Sequence, residues 1–274
     1  MSSTRRLGLN SQTTPAASLE EFAGAAASAG FRAVECAAEI LDGPVEHVAE
    51  TFRRHGLEVL GVCPSVELLD WHWRWDAAIE RRLDEELRRA RALEADYFVL
   101  PFMRPRGDAE SVRRGLAGAA PLARAAGMRL AVEPIGHFEV LNRAQDLVPV
   151  LRDQDPEVVA LLLDAFHFFR AGQELDALHA YSGLPVAAIQ LSNVNARAQH
   201  EALGYRDRVF PLDGRWPVRE FTSLASSLFP GAPLVVEIIG DVARATPTGE
   251  AAERAHRQLA ELTRTLDPLE RSRG

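Results

Sequence analysis

The sequence predicts an α/β protein folded as a single (β/α)8 TIM barrel. Short apolar segments rich in β-branched and aromatic residues alternate, from one end of the chain to the other, with longer segments patterned at helical spacing. Uninterrupted apolar strands are typical of a parallel sheet that helices cover on both faces. Eight such strand–helix units in 274 residues favour a closed barrel over an open sheet.

Eight segments are predicted to be strands. In chain order they are RLGLN (6–10), AVECA (33–37), LEVLGVC (57–63), YFVLPF (97–102), RLAVEPI (129–135), VVALLLDAF (158–166), VAAIQLSNV (186–194) and PLVVEII (233–239). The intervening segments combine an amphipathic pattern with a Ser or Asp at the start or a Gly at the end, which predicts helices. Because no linker or change in composition divides the chain, we expect one domain over 1–274, with a peripheral tail after about residue 265.

Composition narrows the function. A net charge of −8 and a pI of about 5.6 argue against a general binder of nucleic acid or anionic membranes. The sequence contains no run of roughly 18 apolar residues and no apolar signal core, which predicts a cytoplasmic protein. Cys36 and Cys63 fit a reducing compartment, and we interpret both as buried thiols.

The chain contains no lysine, since all 31 basic residues are arginine. This excludes lysine-dependent Schiff-base and pyridoxal chemistry, and it excludes the phosphate-loop lysine of ordinary nucleotide hydrolases. The motifs GxSxG and strand-linked GxGxxG are also absent. We therefore expect neither a nucleotide nor a pyridoxal cofactor.

Polar residues stand at the ends of the last four predicted strands: Glu133, Asp164, Gln190 and Glu237. The C-terminal ends of barrel strands converge on one mouth, so these side chains are expected to share a small volume. Three ionised carboxylates held that close would repel one another unless a cation separated them. An oxygen-rich ligand set suits one Mn²⁺ or Mg²⁺ ion, with Co²⁺ or Zn²⁺ as alternatives. In the other interpretation, each acid separately caps a helix or forms a salt bridge.

Five segments carry a family resemblance: LAVEPIGH (130–137), LLLDAFHFFRAG (161–172), IQLSN (189–193), YRDRVFPLDG (205–214) and LVVEII (234–239). They resemble the xylose-isomerase-like barrels of sugar isomerases and epimerases, and within these the inosose isomerase group. The resemblance implies that Glu133, Asp164 and Glu237 are metal ligands. The remaining strand-end ligand is often histidine in this family. Some 3-dehydroshikimate dehydratases have glutamine there, so Gln190 bears more on the substrate than on the metal.

The resemblance implies a divalent-metal-dependent isomerase or epimerase of a keto-polyol or keto-sugar. In such enzymes the metal stabilises the enediolate that proton loss leaves on the substrate. By analogy with related epimerases, Glu133 and Glu237 remove and return the proton. Arg208 resembles the family arginine that reaches over the site; a solvated loop arginine is the alternative.

Two histidines are further candidates. His167 follows Asp164 by three residues, so it can face the same mouth as a proton shuttle or a hydrogen-bond donor to substrate, or it can cap the next helix. His137 follows Glu133 and is an equally open candidate for substrate binding.

Two other candidates precede these in the chain. In DWHWRWD (70–76), Trp73 and its neighbours Trp71 and Trp75 either form a substrate wall or pack a loop or interface. Glu35, at the end of the second strand, either binds a substrate hydroxyl or pairs with an arginine.

Three functions remain in competition at this stage. The first is an inosose isomerase-like enzyme of carbohydrate metabolism, acting on an unphosphorylated small polyol or keto-sugar. The alternative is a 3-dehydroshikimate dehydratase-like lyase, in which the same proton abstraction precedes loss of a β-hydroxyl. A barrel that only binds a ligand is less consistent with the acids, because buried carboxylates that bind nothing destabilise a fold. The sequence leaves homo-oligomerisation open.

Overall fold

A computed structural model describes residues 5–69, 73–101, 109–137, 141–195, 203–264 and 266. Its strands are β1 (Leu7–Asn10), β2 (Ala33–Cys36), β3 (Glu58–Val62), β4 (Tyr97–Pro101), β5 (Arg129–Glu133), β6 (Val159–Asp164), β7 (Val186–Leu191), β8 (Asn193–Val194), β9 (Arg208–Val209) and β10 (Leu234–Val236). Its α-helices are α1 (Leu19–Ala29), α2 (Val45–Arg54), α3 (Val66–Leu69), α4 (Ala77–Ala92), α5 (Ala109–Ala126), α6 (Ala144–Arg152), α7 (Ala165–Arg170), α8 (Val218–Leu228), α9 (Asp241–Ala245) and α10 (Thr248–Arg264).

Eight parallel strands close into a barrel in the order β1-β10-β7-β6-β5-β4-β3-β2. The helices pack outside it, so the predicted (β/α)8 barrel is confirmed. The sequence signals for helix ends also hold at α1 and α4. The Ser18 hydroxyl caps the N-terminus of α1, Gly30 ends that helix at φ 102°, and Asp76 caps α4.

The two-residue period of the strands places the polar side chains. Alternate residues face the barrel interior, and a buried cluster fills it with mostly small side chains such as Ala33, Ala131, Leu162, Ala188 and Val235. Two residues after these come, in the same order, Glu35, Glu133, Asp164, Gln190 and Glu237. The acids therefore lie directly above the apolar interior, at the C-terminal mouth.

The seventh predicted strand was too long. The barrel strand β7 ends at Leu191, and β8 leaves the barrel to pair antiparallel with β9. The cause is Asn193, whose side-chain amide donates to the carbonyls of Pro211 and Trp216 at 2.9 and 3.1 Å. These bonds tie the chain to the following loop, and the β8–β9 pair brings Arg208 to the mouth.

No helix of the described residues is both long and apolar enough to cross a membrane. Of the tail predicted to be peripheral, only Leu266 is described. Trp71 of the tryptophan-rich segment and Phe102 of the fourth predicted strand also lie outside the described residues.

Candidate active site at the barrel mouth

A cavity of about 210 Å³ opens at the C-terminal mouth of the barrel. Of the predicted residues, Glu133, His167, Arg208 and Glu237 line it, together with Tyr205, Cys63 and Glu39. Asp164 and Gln190 are not among its lining residues. They lie beneath it and are buried. Cys63 is only half-buried, so it is a cavity-lining thiol and not the fully buried one expected.

Arg208 lies between two of the predicted metal ligands. Its Nη1 is 3.0 Å from Asp164 Oδ2 and 2.8 Å from Glu237 Oε2. The guanidinium is fully buried, and its Cζ lies 4.3 Å from the centroid of the Phe166 ring. It is therefore a built-in cation of the site, and the solvated-loop interpretation of Arg208 is wrong.

The predicted four-ligand group is divided by this arginine. One ligand atom from each of Glu133, Asp164 and His167 lies within 4.8 Å of the others, whereas Glu237 forms a similar group with Glu35 and Cys63. The sequence pattern brings four strand ends to one mouth, but it does not show that a guanidinium stands between two of them.

The carboxyl groups hold their protons more tightly than free acids do. Burial first, and then the charges of Glu237 and Asp164, raise the pKa of Glu133 well above its ordinary value. Burial raises the pKa of Glu237 to about 8, although Arg208 opposes the shift. Burial would lower the pKa of Arg208, but the charges of Asp164 and Glu237 outweigh it and raise that pKa. A carboxyl whose pKa lies as close to neutrality as that of Glu237 is suited to proton transfer.

Asp164 serves two purposes with its two oxygens. Oδ1 accepts the backbone N–H groups of Phe166 and His167 at 2.6 and 3.4 Å and so caps α7. Oδ2 faces Arg208. The helix-cap interpretation is therefore correct for this acid, and it leaves one oxygen for a cation.

The tautomer of His167 follows from its backbone contact. The Gly136 N–H donates to Nδ1 at 3.1 Å, so in the neutral ring the proton is on Nε2. Burial, followed by the charge of Arg208, holds the pKa of His167 well below its ordinary value, which keeps the ring neutral. Nε2 lies 3.5 Å from Glu133 Oε1 and 3.0 Å from Arg208 Nη2. His167 thus lies at the cavity with Nε2 beside Arg208, and its role as a hydrogen-bond donor to the substrate stays a prediction.

Glu35 lies below the cavity and is completely buried. Its carboxylate accepts Asn10 Nδ2 at 2.7 Å, the Tyr97 hydroxyl at 2.7 Å and Gln190 Nε2 at 2.6 Å. The partners of Glu35 are therefore three neutral donors, and not the substrate hydroxyl or the arginine that the sequence suggested. The reason is steric, because the Glu35 side chain points into the barrel and not into the cavity.

Trp73 packs the outside of the barrel. Its side chain is buried and lies against α5, where a Cβ on Gly115 would come within 2.7 Å of the ring. It is not among the residues that line the cavity. The packing interpretation is therefore correct for Trp73, and we do not assign it to the substrate.

Sequence reasoning missed Asn10, Tyr97 and Tyr205. Asn10 ends β1 just as the predicted acids end their strands, so the same pattern could have found it. Tyr97 begins β4 and reaches Glu35 across the barrel because Gly61 leaves room, since a Cβ there would overlap its ring. Tyr205 begins a single 3₁₀ turn (Tyr205–Asp207), which is too short to carry a periodic signal; its ring centroid is 5.3 Å from Arg208 Cζ.

The residues present fit a divalent cation. Four carboxyls are buried near the mouth, those of Glu35, Glu133, Asp164 and Glu237, and the guanidinium of Arg208 pairs with two of them, so negative charge is in excess when they ionise. Gln190 Oε1 is a buried acceptor without a hydrogen-bond partner among the described residues. Carboxylate and amide oxygens are the ligands that Mn²⁺ and Mg²⁺ prefer. Arg208 already pairs with Asp164 and Glu237, so an ion bound by these two acids would share them with the guanidinium.

The lowered pKa of His137 predicts that the folded protein loses stability as the pH falls. Burial, followed by the charges of Arg170 and Arg208, lowers its pKa to about 4. In the unfolded chain His137 takes up a proton near pH 6.5, whereas in the folded protein it does so only near pH 4. The free energy of unfolding therefore falls as the pH falls from about 6.5 to about 4. His137→Asn should reduce this fall by about 1–2 kcal/mol, allowing for partial exposure. Urea unfolding between pH 7 and 4 measures it, with the exposed His179→Asn as control. Parallel curves for wild type and His137→Asn would contradict the prediction.

The family model of the xylose isomerase-like TIM barrel matches residues 23–265 of the chain. The fold is similar to that of an IolI protein solved with a bound zinc atom, at a TM-score of 0.84 and 18% identity over 96% of this chain and 99% of that one. It is also similar to L-ribulose 3-epimerase, at a TM-score of 0.76 and 18% identity over 96% of both chains.

A third similar structure is a fusion of a xylose isomerase-like TIM barrel with 4-hydroxyphenylpyruvate dioxygenase, at a TM-score of 0.82 and 19% identity. The match covers 96% of this chain but only 43% of the fusion protein. At these identities the likeness concerns the fold. Among curated protein sequences, none matches the chain.

Proposed function

Because the chain belongs to the xylose isomerase-like TIM barrel family, we propose that it is a divalent-metal-dependent isomerase or epimerase of a keto-polyol or keto-sugar. The observation that carries the proposal is the buried group of Glu133, Asp164 and Glu237 around Arg208, in which burial raises the pKa of Glu133 well above its ordinary value and that of Glu237 to about 8. Carboxyls of this kind can both remove and return a proton at neutral pH. The zinc-bound IolI structure and L-ribulose 3-epimerase support the same class of chemistry.

The proposed ligands of the metal are Glu133, Asp164, Gln190 and Glu237, and the proposed ion is Mn²⁺ or Mg²⁺, with Co²⁺ or Zn²⁺ as alternatives. When bound, the ion supplies Lewis acidity toward the oxygens of the substrate. The proton is moved by this chain's own carboxyls. Glu133 and Glu237 both line the cavity, so we assign them the removal and the return of the proton.

Two donors of the chain converge where negative charge develops on the substrate. With the proton of His167 on Nε2, this atom and Arg208 Nη2 are two neighbouring N–H donors 3.0 Å apart, and they repel each other when no acceptor is present. A substrate oxygen that lies beside the pair and accepts from both would remove this repulsion. Such preorganised donors stabilise an oxygen that gains charge as the carbon loses its proton. Positioning the substrate oxygen is therefore the role we propose for His167 and Arg208.

The cavity indicates a small substrate without a phosphate. Its volume of about 210 Å³ is below the roughly 300–1,000 Å³ of pockets for drug-sized ligands. Among the described residues that line it, Arg208 is the one arginine, and two carboxyl groups already pair with it. Unphosphorylated inososes, ketohexoses and ketopentoses are therefore the compounds to screen.

The test follows proton exchange in D₂O by NMR, with Mn²⁺ or with a chelator. We expect about one Mn²⁺ per chain, and metal-dependent deuterium uptake beside the carbonyl of one keto-polyol together with formation of its isomer. 3-Dehydroshikimate is included, and ultraviolet absorbance follows its loss of water. Water loss without isomerisation would favour the dehydratase. Absence of both metal binding and exchange would leave only a ligand-binding barrel.

A further inference from the structure

The side-chain amide of Gln190 has an orientation that its neighbours impose. Nε2 donates to Glu35 Oε1 at 2.6 Å and lies 3.3 Å from Glu237 Oε1. Glu35 Oε1 already accepts Asn10 Nδ2 at 2.7 Å, so a flipped amide would set one acceptor against another, and the nitrogen must face this oxygen. Oε1 is consequently turned away from both acids, where no described residue hydrogen-bonds to it.

Glu35 is itself held in place from two other strands. The Tyr97 hydroxyl on β4 donates to Oε2 at 2.7 Å, and Asn10 Nδ2 on β1 donates to Oε1 at 2.7 Å. Asn10 cannot flip either, because its Oδ1 accepts the backbone N–H of Gln12 at 2.8 Å. Because the Gln12 N–H only donates, Asn10 must turn its Nδ2 toward Glu35, and the same Oε1 that accepts from Asn10 also accepts from Gln190 Nε2.

A glutamine ligand depends more than a histidine ligand does on a hydrogen-bond partner that fixes its orientation. An imidazole offers a ring nitrogen as its ligand atom, whereas an amide offers either an oxygen or an NH₂ group that cannot bind a cation. A hydrogen-bond partner behind a metal ligand commonly sets its orientation, and loss of such a partner typically weakens metal affinity by about 10- to 100-fold.

We propose that Glu35 is a positioning residue for the metal site: it holds the Gln190 amide by its nitrogen, so that Oε1 alone is available to the cation. The inference rests on the proposed metal dependence and deepens it. Glu35 acts through Gln190 and does not contact the substrate, in keeping with its complete burial beneath the cavity.

The experiment measures Mn²⁺ affinity by isothermal titration calorimetry, without any substrate. Glu35→Gln keeps the size of the side chain but offers an amide that accepts either orientation of Gln190. We expect it to weaken Mn²⁺ binding by about 10- to 100-fold. In a Gln190→His background the same change should weaken binding by less than about threefold, because no amide remains to be oriented.

Tyr97→Phe is the matched control. It removes a donor to the far oxygen of Glu35 and leaves the bond to Gln190, so it should alter the unfolding midpoint while changing Mn²⁺ affinity by less than about threefold. If Glu35→Gln does not fold, Glu35→Met is compared in the same two backgrounds.

The failure of this inference is distinct from failure of the proposed function. Wild type that binds Mn²⁺ no more tightly than Glu35→Gln overturns the positioning role and leaves metal dependence intact. An equal loss of affinity from Glu35→Gln with and without the Gln190→His substitution also overturns it. Wild type that binds no Mn²⁺ overturns the metal site and the inference with it.

Discussion

Arg208→Met is expected to lower the free energy of unfolding of the metal-free protein by about 3–5 kcal/mol, because it leaves buried carboxylates without their cation. Arg208 Nη1 contacts both Asp164 and Glu237, and all three side chains are buried. The loss should be greater at pH 8 than at pH 5, where the carboxyls can take up protons instead of remaining charged. Urea unfolding in the presence of a chelator measures it.

Arg219→Met is the control for Arg208→Met. Arg219 pairs with Glu261 at 2.6 Å, but both side chains are more than 40% exposed, so its loss should change stability by less than about 1 kcal/mol. Added Mn²⁺ should restore part of the stability of Arg208→Met, since binding to the folded state alone stabilises it. Equal small losses in the two variants would show that Arg208 does not neutralise the cluster.

The barrel and its mouth could be predicted because both follow from local periodicity. The strands are recognisable as apolar runs, and the two-residue alternation carries Glu133, Asp164 and Gln190 to one level above the interior. The polarity of the strand ends is a property of each strand alone. No knowledge of how distant segments pack was needed to find it.

The contacts between those side chains could not be predicted from local periodicity. Arg208 reaches Asp164 across 44 positions of sequence, through a β8–β9 pair that has only two residues in each strand. The bond from Tyr97 to Glu35 depends on the absence of a side chain at Gly61. Such contacts depend on tertiary packing, which leaves no period in the sequence.

The burial of Glu35 shows where a correct pattern gave the wrong partner. Its position at a strand end was predicted properly, and only its partner was mistaken, because an acid in a sequence suggests a charged or hydroxyl-bearing partner. In the structure, two side-chain amides and a phenol share the carboxylate. Several neutral donors can offset the cost of burying a carboxylate without adding charge to the barrel.

Glu133→Gln and Glu237→Gln are each expected to lower the turnover of the proposed epimerase or isomerase reaction by about 10²- to 10⁴-fold, because an amide cannot exchange a proton with the substrate carbon. Both side chains line the cavity, so each can serve one face of the substrate. The turnover is measured at saturating Mn²⁺, with bound metal quantified in the same samples. Glu253→Gln, which removes an exposed partner of Arg257, is the control.

If the enzyme interconverts two epimers, deuterium exchange distinguishes proton removal by Glu133 from proton removal by Glu237. With one acid on each face, Glu133→Gln should lose exchange with one epimer and keep it with the other, and Glu237→Gln should show the reverse. Loss of metal alone would abolish exchange with both epimers in either variant, because the cation is common to both directions. The reciprocal pattern is therefore evidence for two carboxyls acting in turn, whereas loss of exchange with both epimers at full metal content would contradict it.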